Sequence, residues 1–456
     1  MRDLAGIVKA YDIRGEVPGE LDEEVSHAIG GAFVRILDAG AVVTAHDMRE
    51  SSAPLARAFA EGAAQMGADV IETGLGSTDM LYFASGSLGL PGAMFTASHN
   101  PAKYNGIKLC RAGAAPVGQD TGLREIKAFA EAHHPSGAAA PGTITRRDVL
   151  AGYADYLRGL VDLSGSRRLT VVVDAGNGMA GHTVPSVFEG LPIDLVPLYF
   201  ELDGTFPHHE ANPLVPANLR DLQAAVVEHR ADVGLAFDGD ADRCFVVDER
   251  GVAVSPSAVT ALVAARELLR EPGATIIYNL ITSHAVPEIV TERGGHPVRT
   301  RVGHSFIKAE MARTDAVFGG EHSAHYYFRD FWRADTGMLA ALHVLASLGT
   351  QDRPLSELSA EYRRYEASGE INLVVDDQAA HLRAVEAAFA GRAAEIDHTD
   401  GLTVQLPEAG WFNLRPSNTE PLLRLNVEAP DPVRLAALRD EVLAMIGPRT
   451  HLKETV

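Results

Sequence analysis

The chain has 456 residues, of which 46% are hydrophobic and 22% are charged, and its formal net charge at neutral pH is −21. A chain of this length and composition can form roughly three or four globular domains, each with its own core. The negative charge argues against nucleic acid or an anionic membrane as the main partner, and a phosphate-bearing ligand would need a local cluster of arginines and lysines to bind.

The two cysteines, Cys110 and Cys244, are too few for a disulfide framework, so a reducing compartment is the simpler interpretation. The first fifteen residues lack the apolar core of a signal peptide. A run of about 18 apolar residues, which a membrane-spanning helix needs, does not occur in the sequence. These features predict a cytoplasmic protein that does not cross a membrane.

The first third of the chain alternates strands and helices from Ile7 to about Arg111, which predicts an α/β domain with a mostly parallel sheet. Within it we expect a strand at 42–44, a helix at 53–66 and a strand at 69–71. After the small, Pro/Gly-rich stretch 133–142, helical spacing returns at 147–160, and we place a domain boundary around 145–160.

The stretch Thr96-Ala97-Ser98-His99-Asn100-Pro101 follows an apolar, strand-like run that begins at Leu90. The Asn-Pro pair breaks this run, and Asn105-Gly106 signals a turn before a second short strand at 107–110. Ser98 therefore lies on a turn, where its hydroxyl can face a cleft. Taken alone, such a serine is most often only a capping or hydrogen-bonding residue.

A strand at Leu169–Asp174 is followed by glycines 176, 178 and 181, a literal G-x-G-x-x-G at a strand-to-helix junction. This pattern is shared by dinucleotide-binding domains and by ordinary tight turns between a strand and a helix, so an NAD-dependent oxidoreductase is one alternative.

The segment Asp238-Gly-Asp240-Ala-Asp242-Arg243 lies between predicted strands at 233–237 and 245–247. Alternate side chains of an extended segment share a face, so the three carboxylates can converge on one cation. An EF-hand is excluded because Arg243 occupies the position that requires glycine and because the flanks predict strands. Three acidic ligands without cysteine or histidine favour Mg²⁺ over zinc.

The remainder predicts a further α/β unit at 253–368 and an α+β unit from 369 onward. We expect these helices and strands: helix 258–269, strand 275–279, helix 284–293, strand 317–318, strand 370–375, helix 379–390, strands 401–406, 411–414 and 422–428, and helix 432–446.

Two loops in these units are rich in hydrogen-bonding groups. Gly320-Glu321-His322-Ser323-Ala324-His325 follows a short strand and can bind a polyol, although a glutamate and histidine pair also suits a metal. Arg415-Pro416-Ser417-Asn418-Thr419-Glu420-Pro421 offers a guanidinium, hydroxyls and an amide, a set that suits a dianionic phosphate.

Taken together, the four loops resemble, in order and over nearly the whole chain, the signatures of the α-D-phosphohexomutase superfamily. The resemblance is strongest to its bacterial phosphomannomutase/phosphoglucomutase branch, which Tyr11-Asp12-Ile13-Arg14 also matches. It implies three similar α/β domains with mixed, mostly parallel sheets and a smaller C-terminal α+β domain around a central cleft. We place these domains at 1–150 (phosphoserine loop), 151–252 (metal), 253–368 (sugar) and 369–456 (phosphate).

The resemblance implies an enzyme that interconverts hexose 1-phosphates and hexose 6-phosphates of mannose and glucose through phosphorylated Ser98. Hexose 1,6-bisphosphate would be intermediate and activator. Ser98 and the three aspartates would hold Mg²⁺, and Lys108, Arg14 and His325 would act near the transferred proton. The substrate would be bound by Tyr11, Arg243, His304, Glu321, Ser323, Arg415, Ser417, Asn418 and Thr419.

Two departures from the family pattern concern specificity. His322 and Ala324 replace the usual methionine and glycine, which offers His322 as a selector of the sugar's 2-hydroxyl, and the turn at 278–284 lacks a lysine that some relatives have. Phosphoglucosamine mutase, a serine hydrolase and a non-catalytic sugar-phosphate sensor remain alternatives, although G-x-S-x-G is absent. We expect small sugar phosphates as partners, neither nucleic acid nor membrane, and a monomer or dimer.

Overall fold

The structure is a computed structural model that describes residues 3–9, 11–132, 140–407, 410–417, 422–447 and 452–453. Within them the backbone forms four sheets, one after another along the chain. No helix in this described part is both long and apolar enough to span a bilayer. Cys110 and Cys244 are buried free thiols.

The first unit contains a mixed sheet with helices packed against it. Its elements are β1 (Ile13–Glu16), α1 (Glu23–Leu37), β2 (Ala41–His46), α2 (Ser52–Gln65), β3 (Asp69–Leu75), α3 (Thr78–Leu88), β4 (Gly92–Phe95), β5 (Tyr104–Arg111), β6 (Ala115–Pro116), α4 (Leu123–Glu131) and β7 (Ile144–Arg146). The strand order is β1-β5-β4-β2-β3-β7, with β6 paired to β5. Strand β2 is parallel to both β3 and β4, whereas β5 is antiparallel to β4.

The second unit has a five-stranded sheet in the order β12-β11-β10-β8-β9. Its elements are α5 (Leu150–Leu160), β8 (Leu169–Asp174), α6 (Ala180–Phe188), β9 (Ile193–Leu198), α7 (Arg220–His229), β10 (Val233–Phe237), β11 (Cys244–Asp248) and β12 (Ala253–Val254). Strand β8 is parallel to β9 and β10, and β11 is antiparallel to β10.

The third unit repeats this arrangement with strand order β14-β13-β15-β16-β17. Its elements are α8 (Pro256–Arg270), β13 (Thr275–Asn279), α9 (Ala285–Glu292), β14 (His296–Thr300), α10 (His304–Thr314), β15 (Phe318–Gly320), β16 (Tyr326–Phe328), β17 (Ala334–Asp335), α11 (Gly337–Gly349) and α12 (Leu355–Ala360). Strand β13 is parallel to β14 and β15, and β16 is antiparallel to β15.

The fourth unit is an antiparallel sheet in the order β19-β20-β21-β22-β18-β23 with two helices. Its elements are β18 (Glu366–Val374), α13 (Gln378–Phe389), β19 (Glu395–Asp397), β20 (Leu402–Gln405), β21 (Trp411–Pro416), β22 (Leu422–Ala429), α14 (Pro432–Ile446) and β23 (Leu452–Lys453). The predicted α+β character of this part and the mixed sheets of the first three units are confirmed.

The parallel share of the first three sheets is smaller than expected. In each of them a parallel half is extended by antiparallel strands, so within the described residues parallel pairs do not outnumber antiparallel ones. The reason is the hairpin that follows one parallel strand in every unit: β4–β5, β10–β11 and β15–β16. The fourth unit has the corresponding hairpin in β21–β22. The first three chemistry-bearing loops of the sequence are the turns of these hairpins, and the described residues of the fourth, 415–417, lie at the end of β21.

Some of the helices begin at a side-chain cap that the sequence supplies. An oxygen of the residue before the helix accepts a backbone N–H of the first turn, an arrangement worth about 1 kcal/mol per helix. The capping residues are Asp22, Ser77, Ser255, Thr336, Asp377 and Asp431.

The apolar cores are distributed unevenly among the four units. One continuous apolar core joins the second and third units to one side of the first, through side chains such as Tyr153, Phe237 and Phe318. The fourth unit has its own core around Phe389 and Phe412. Because its core is separate, the fourth unit can change its position without exposing the shared core of the other three.

Candidate active site

The Ser98 turn joins β4 to β5 and is tightly held. Ser98 has a left-handed backbone (φ 50°), and its N–H donates to the Thr96 hydroxyl at 2.9 Å. The buried guanidinium of Arg49 donates to four backbone carbonyls of the turn, those of Ser98, Asn100, Pro101 and Tyr104, at 2.7–3.0 Å. These bonds hold the Ser98 hydroxyl at a fixed place beyond the carboxyl end of β4.

The aspartate loop is the turn between β10 and β11. Asp238, Asp240 and Asp242 are almost completely buried, and one oxygen from each lies within 4.8 Å of the others. Ala241 adopts a left-handed backbone (φ 59°), which turns the chain between the last two aspartates. The predicted convergence of three carboxylates is therefore present.

The two loops meet across the first and second units. The Ser98 hydroxyl donates to Oδ2 of Asp238 at 2.7 Å. Arg243 donates from Nε to the same carboxylate at 2.9 Å and from Nη2 to Ser98 Oγ at 3.3 Å. Residues 140 positions apart in the chain thus place a nucleophilic oxygen, a carboxylate and a guanidinium in one buried site.

The carboxylate cluster has the free oxygens that a cation requires. Oδ1 of Asp240 and Oδ1 of Asp242 are buried and accept no hydrogen bond from the described residues. Buried carboxylate oxygens without a donor are unfavourable, and a hard divalent cation prefers such ligands. The residues therefore fit Mg²⁺.

Charge in this cluster is balanced by Lys108, whose ammonium lies 2.6 Å from Oδ2 of both Asp240 and Asp242. Burial acts to lower the pKa of Lys108, but the two carboxylates outweigh it and raise the pKa above its ordinary value. Burial raises the pKa of Asp238 to about 7, although the Arg243 guanidinium opposes this rise. Lys108 therefore stays cationic, and it contacts the cation ligands rather than Ser98.

A cleft of about 510 Å³ opens beside this cluster and is lined by the first three units. Arg14 lies on its wall, where it donates to Asn100 Oδ1 at 2.5 Å and pairs with Asp12 at 2.7 Å. Most of the predicted site residues of the first three units line this cleft: Tyr11, Arg14, Ser98, Lys108, Asp242, Arg243, His304, Glu321, Ser323 and His325.

Glu321 is a fixed acceptor in the third unit. Its Oε2 accepts from the Tyr327 hydroxyl at 2.6 Å, and its Oε1 accepts from Asn279 Nδ2 and the Gly303 N–H at 3.1 and 3.2 Å. Ser323 lies on the same loop. Both residues face the cleft, as a sugar-binding loop requires.

His325 lies between two carboxylates. Its Nδ1 is 3.1 Å from Asp335 Oδ2 and 3.8 Å from Asp242 Oδ1. Burial acts to lower its pKa, but the two carboxylates raise it above the usual value. The backbone of His325 also bridges to that of Arg243, which ties the sugar loop to the aspartate loop.

His304 and His322 line two different cavities. His304 lies in the cleft with its ring 4.2 Å from that of Tyr11, and burial lowers its pKa to about 3. His322 lines a second cavity of about 470 Å³ between the third and fourth units, beside Trp411 and Asn426. Burial lowers the pKa of His322, and Glu370, Arg415 and Glu321 also act on it, so its expected role at the sugar's 2-hydroxyl stays a prediction.

The phosphate loop is described only in part. Arg415 is largely buried and pairs with Glu370 at 2.9 Å, and the Ser417 N–H donates to the Leu422 carbonyl at 2.8 Å. Asn418 and Thr419 lie outside the described residues. Burial raises the pKa of the Tyr11 hydroxyl above its usual value, and the Arg415 guanidinium is close enough to oppose this rise.

Comparison with known proteins places this geometry in a family. Four family models match in order: phosphoglucomutase/phosphomannomutase domain I at residues 5–135, domain II at 151–251, domain III at 256–365 and the C-terminal domain at 370–445. The chain belongs to the phosphoglucomutase/phosphomannomutase family. It is accordingly a mutase, an intramolecular phosphotransferase of carbohydrate metabolism.

Individual relatives of this phosphoglucomutase/phosphomannomutase chain cover almost all of it. A phosphomannomutase of Escherichia coli is 42% identical over 450 residues, which are 96% of this chain and 98% of that protein. A phosphohexose mutase of Xanthomonas campestris pv. campestris is 40% identical over 439 residues, again 96% and 98%. A family member from Burkholderia thailandensis of known crystal structure has a TM-score of 0.89 and 35% identity, covering 98% of both chains.

The glycine-rich turn of this family member is structural. The Met179 N–H donates to the carbonyl of Gly239 at 2.9 Å, and a Cβ on Gly178 would lie 2.7 Å from that same oxygen. Glycine is needed here so that the turn can approach the aspartate loop. The turn therefore supports the aspartate loop, and its glycines have a structural role that does not require a dinucleotide.

The sequence interpretation missed four charged residues around the mutase site. Arg49 holds the Ser98 turn, and Lys308 pairs with Asp335 at 2.8 Å behind His325. Arg424 lies beside Arg415 on β22. Arg49 follows the carboxyl end of parallel strand β2, where ligand-binding residues of α/β sheets concentrate. The position of Arg49 after this strand could therefore have identified it as a site residue from the sequence.

Proposed function

We propose that this mutase interconverts the 1-phosphates and 6-phosphates of mannose and glucose through a phosphorylated Ser98. The observation that carries the proposal is the 2.7 Å contact of the Ser98 hydroxyl with Asp238, inside a buried cluster of cation ligands at the end of a sugar-sized cleft. The names of the relatives, phosphomannomutase and phosphohexose mutase, support the choice of hexose phosphates.

The cation in this proposal is Mg²⁺, held by Asp238, Asp240, Asp242 and an oxygen on Ser98. When bound, it supplies charge neutralisation at the oxygens of the transferring phosphoryl group. The Arg243 guanidinium, 3.3 Å from Ser98 Oγ, adds a second positive charge at the same place.

The first transfer moves the phosphoryl group from Ser98 to the free hydroxyl of a hexose 1-phosphate. The bond between Ser98 Oγ and phosphorus breaks, a bond between phosphorus and the sugar's 6-oxygen forms, and the proton of the 6-hydroxyl leaves to a nearby base. His325, fixed by Asp335, is our candidate for that base. Lys108 and Arg14 hold positive charge along the path of the phosphoryl group.

The product of this transfer is a hexose 1,6-bisphosphate, which must turn over and return its other phosphoryl group to Ser98. Bisphosphate added from outside would serve as activator by phosphorylating an empty Ser98. In either orientation Glu321 and Ser323 would bind sugar hydroxyls while Tyr11 and His304 contact the ring. Arg415, Ser417, Asn418 and Thr419 would bind whichever phosphate is not being transferred. The cytoplasmic location and the monomeric or dimeric state stay predictions.

Both epimers are expected to react, because mannose and glucose are identical at the 3- and 4-hydroxyls that Glu321 and Ser323 would bind. The ratio of kcat/KM should stay within roughly 10–200-fold, and glucosamine 1-phosphate should be poorer. Coupled assays with the three sugar 1-phosphates and a trace of glucose 1,6-bisphosphate measure this. A mannose-to-glucose ratio above about 10⁴ would refute dual specificity.

The same assays test the proposed function itself, since a Mg²⁺-loaded enzyme that turns over none of the three sugars contradicts it. His322→Met tests specificity separately. If His322 selects at the sugar's 2-hydroxyl, this variant should change the mannose-to-glucose ratio, and an unchanged ratio would contradict that role.

Closure of the fourth unit on the other three is expected when sugar phosphate binds. The chain enters this unit through β18, whose pairing with β22 shifts register between Ala367 and Glu370, and Gly369 has a left-handed backbone (φ 69°). Such an irregular segment absorbs hinge rotation, and 365–372 is our expected hinge. Small-angle scattering with and without mannose 1-phosphate checks this, and identical profiles would contradict it.

A further inference from the structure

We infer that Glu370 competes with the substrate's phosphate for two arginines of the fourth unit and thereby limits how tightly that phosphate is held. The inference rests on the proposed function, because it concerns the phosphate that Arg415 would bind. It adds to that function a residue at the hinge, Glu370, and a second guanidinium, Arg424.

The three side chains form a row across three neighbouring strands. Arg415 on β21 is directly opposite Arg424 on β22. Glu370 on β18 is opposite Asn426, two residues from Arg424, so that it shares a sheet face with Arg424. Its Oε2 lies 2.9 Å from Arg415 Nη2 and its Oε1 lies 3.2 Å from Arg424 Nη1. One carboxylate therefore bridges both guanidiniums.

Two neighbouring guanidiniums in a half-buried place repel each other unless an anion lies between them. The exposed fractions of the Arg415, Glu370 and Arg424 side chains are only 10%, 17% and 30%, so solvent screens this repulsion incompletely. Nε of each arginine is buried and donates to no partner among the described residues. The two arginines can therefore bind more negative charge than one carboxylate supplies.

The positions of the contacts favour competition over simple support. Glu370 occupies terminal Nη atoms, which are the donors that a phosphate dianion uses in bidentate contacts with arginine. Glu370 also follows Gly369 at the register shift of β18, so its backbone lies in the segment that we expect to rotate. A supporting carboxylate would be expected on a regular strand, away from the hinge.

Competition between Glu370 and the phosphate would help the reaction intermediate to leave the arginines. The bisphosphate has to leave the arginines once in each cycle, reorient and bind them again with its other end. When the Glu370 carboxylate pairs with the two arginines again, release of the phosphate costs less free energy, because neither guanidinium is left without a partner. Without Glu370 the phosphate should bind more tightly and leave more slowly.

Glu370→Gln tests this because it removes the charge and keeps the shape. Calorimetric titration with inorganic phosphate and with mannose 1-phosphate should give binding roughly tenfold tighter than wild type, equivalent to about 1.4 kcal/mol. In the coupled assay KM should fall and kcat should fall with it, since release becomes slower. Glu370→Asp, which keeps the charge, should lie nearer to wild type.

Glu366→Gln is the matched control, because Glu366 belongs to the same strand and pairs with the exposed Arg363 instead. It should leave phosphate binding unchanged. The effect of Glu370→Gln should vanish in a variant that also carries Arg415→Gln, which assigns it to this arginine rather than to Arg14 or Lys108.

Weaker or unchanged phosphate binding by Glu370→Gln, with a raised or unchanged KM, would overturn the inference and make Glu370 a support for the arginines. Thermal denaturation confirms that each variant is folded. The titration with inorganic phosphate does not depend on turnover. If wild type fails to isomerise any hexose phosphate, the proposed function fails, whereas the titration still decides the role of Glu370.

Discussion

Ser98→Ala is expected to lower kcat by roughly 10⁴-fold or more, the scale seen when a covalent nucleophile is removed. The other parts of the site remain in place, because Arg49 holds the turn through backbone carbonyls and Asp238 is still paired with Arg243. Folding should therefore be preserved while turnover is lost. The coupled assay with mannose 1-phosphate and glucose 1,6-bisphosphate measures the loss.

Intact mass spectrometry gives an independent check of the same residue. Part of the purified wild-type protein should carry one phosphoryl group that phosphatase removes, and the Ser98→Ala protein should carry none. Ser87→Ala, at an exposed serine of α3, is the control and should keep both the phosphoryl group and the activity. Near-normal turnover by Ser98→Ala would contradict the phosphoserine mechanism.

Asp242→Asn is expected to reduce kcat by at least about 10²-fold. The loss of one ligand weakens the binding of a cation that stabilises the transition state by several kcal/mol. The stability of the metal-free protein should change little. One charge is removed from a buried group of three like charges, while Lys108 keeps its 2.6 Å contact with Asp240.

The measurement is a thermal denaturation series with and without Mg²⁺ alongside the coupled assay. Mg²⁺ should raise the midpoint of wild type, and the rise should shrink in Asp242→Asn. Asp248→Asn, on β11 beyond the cluster, is the matched control, and it should keep the Mg²⁺-dependent rise. Wild-type activity that is equal with and without chelator would exclude a role for the metal.

The strong negative charge of the chain is compatible with the proposed phosphate-bearing substrate, because the cleft has cations of its own. Arg14, Lys108 and Arg243 line the cleft, each in contact with an acid or a polar group that fixes it. Salt screens the distant acids over about 8 Å, so these local cations determine the potential that a phosphate meets inside the cleft.

Local sequence patterns were sufficient to locate the chemistry-bearing segments and most of the helices and strands. Apolar runs with turn residues at their ends predicted strands such as Leu169–Asp174 and Thr275–Asn279 with the observed bounds, because local patterning and turn residues act within a few positions. The Asp238–Asp242 spacing likewise predicted converging carboxylates, since alternate residues of an extended segment share a face.

Which of these groups contact one another depends on the tertiary structure. The bond from Ser98 to Asp238, the bonds from Arg49 to the Ser98 turn and the bridge from Glu370 to Arg415 and Arg424 join residues that are distant in sequence. Spacing rules cannot reach such pairs, because they depend on how sheets pack and on strand register. The same reason explains why Gly176–Gly181 resembled a nucleotide site: its partner, Gly239, lies on another loop, and contact with that loop is what requires the glycine.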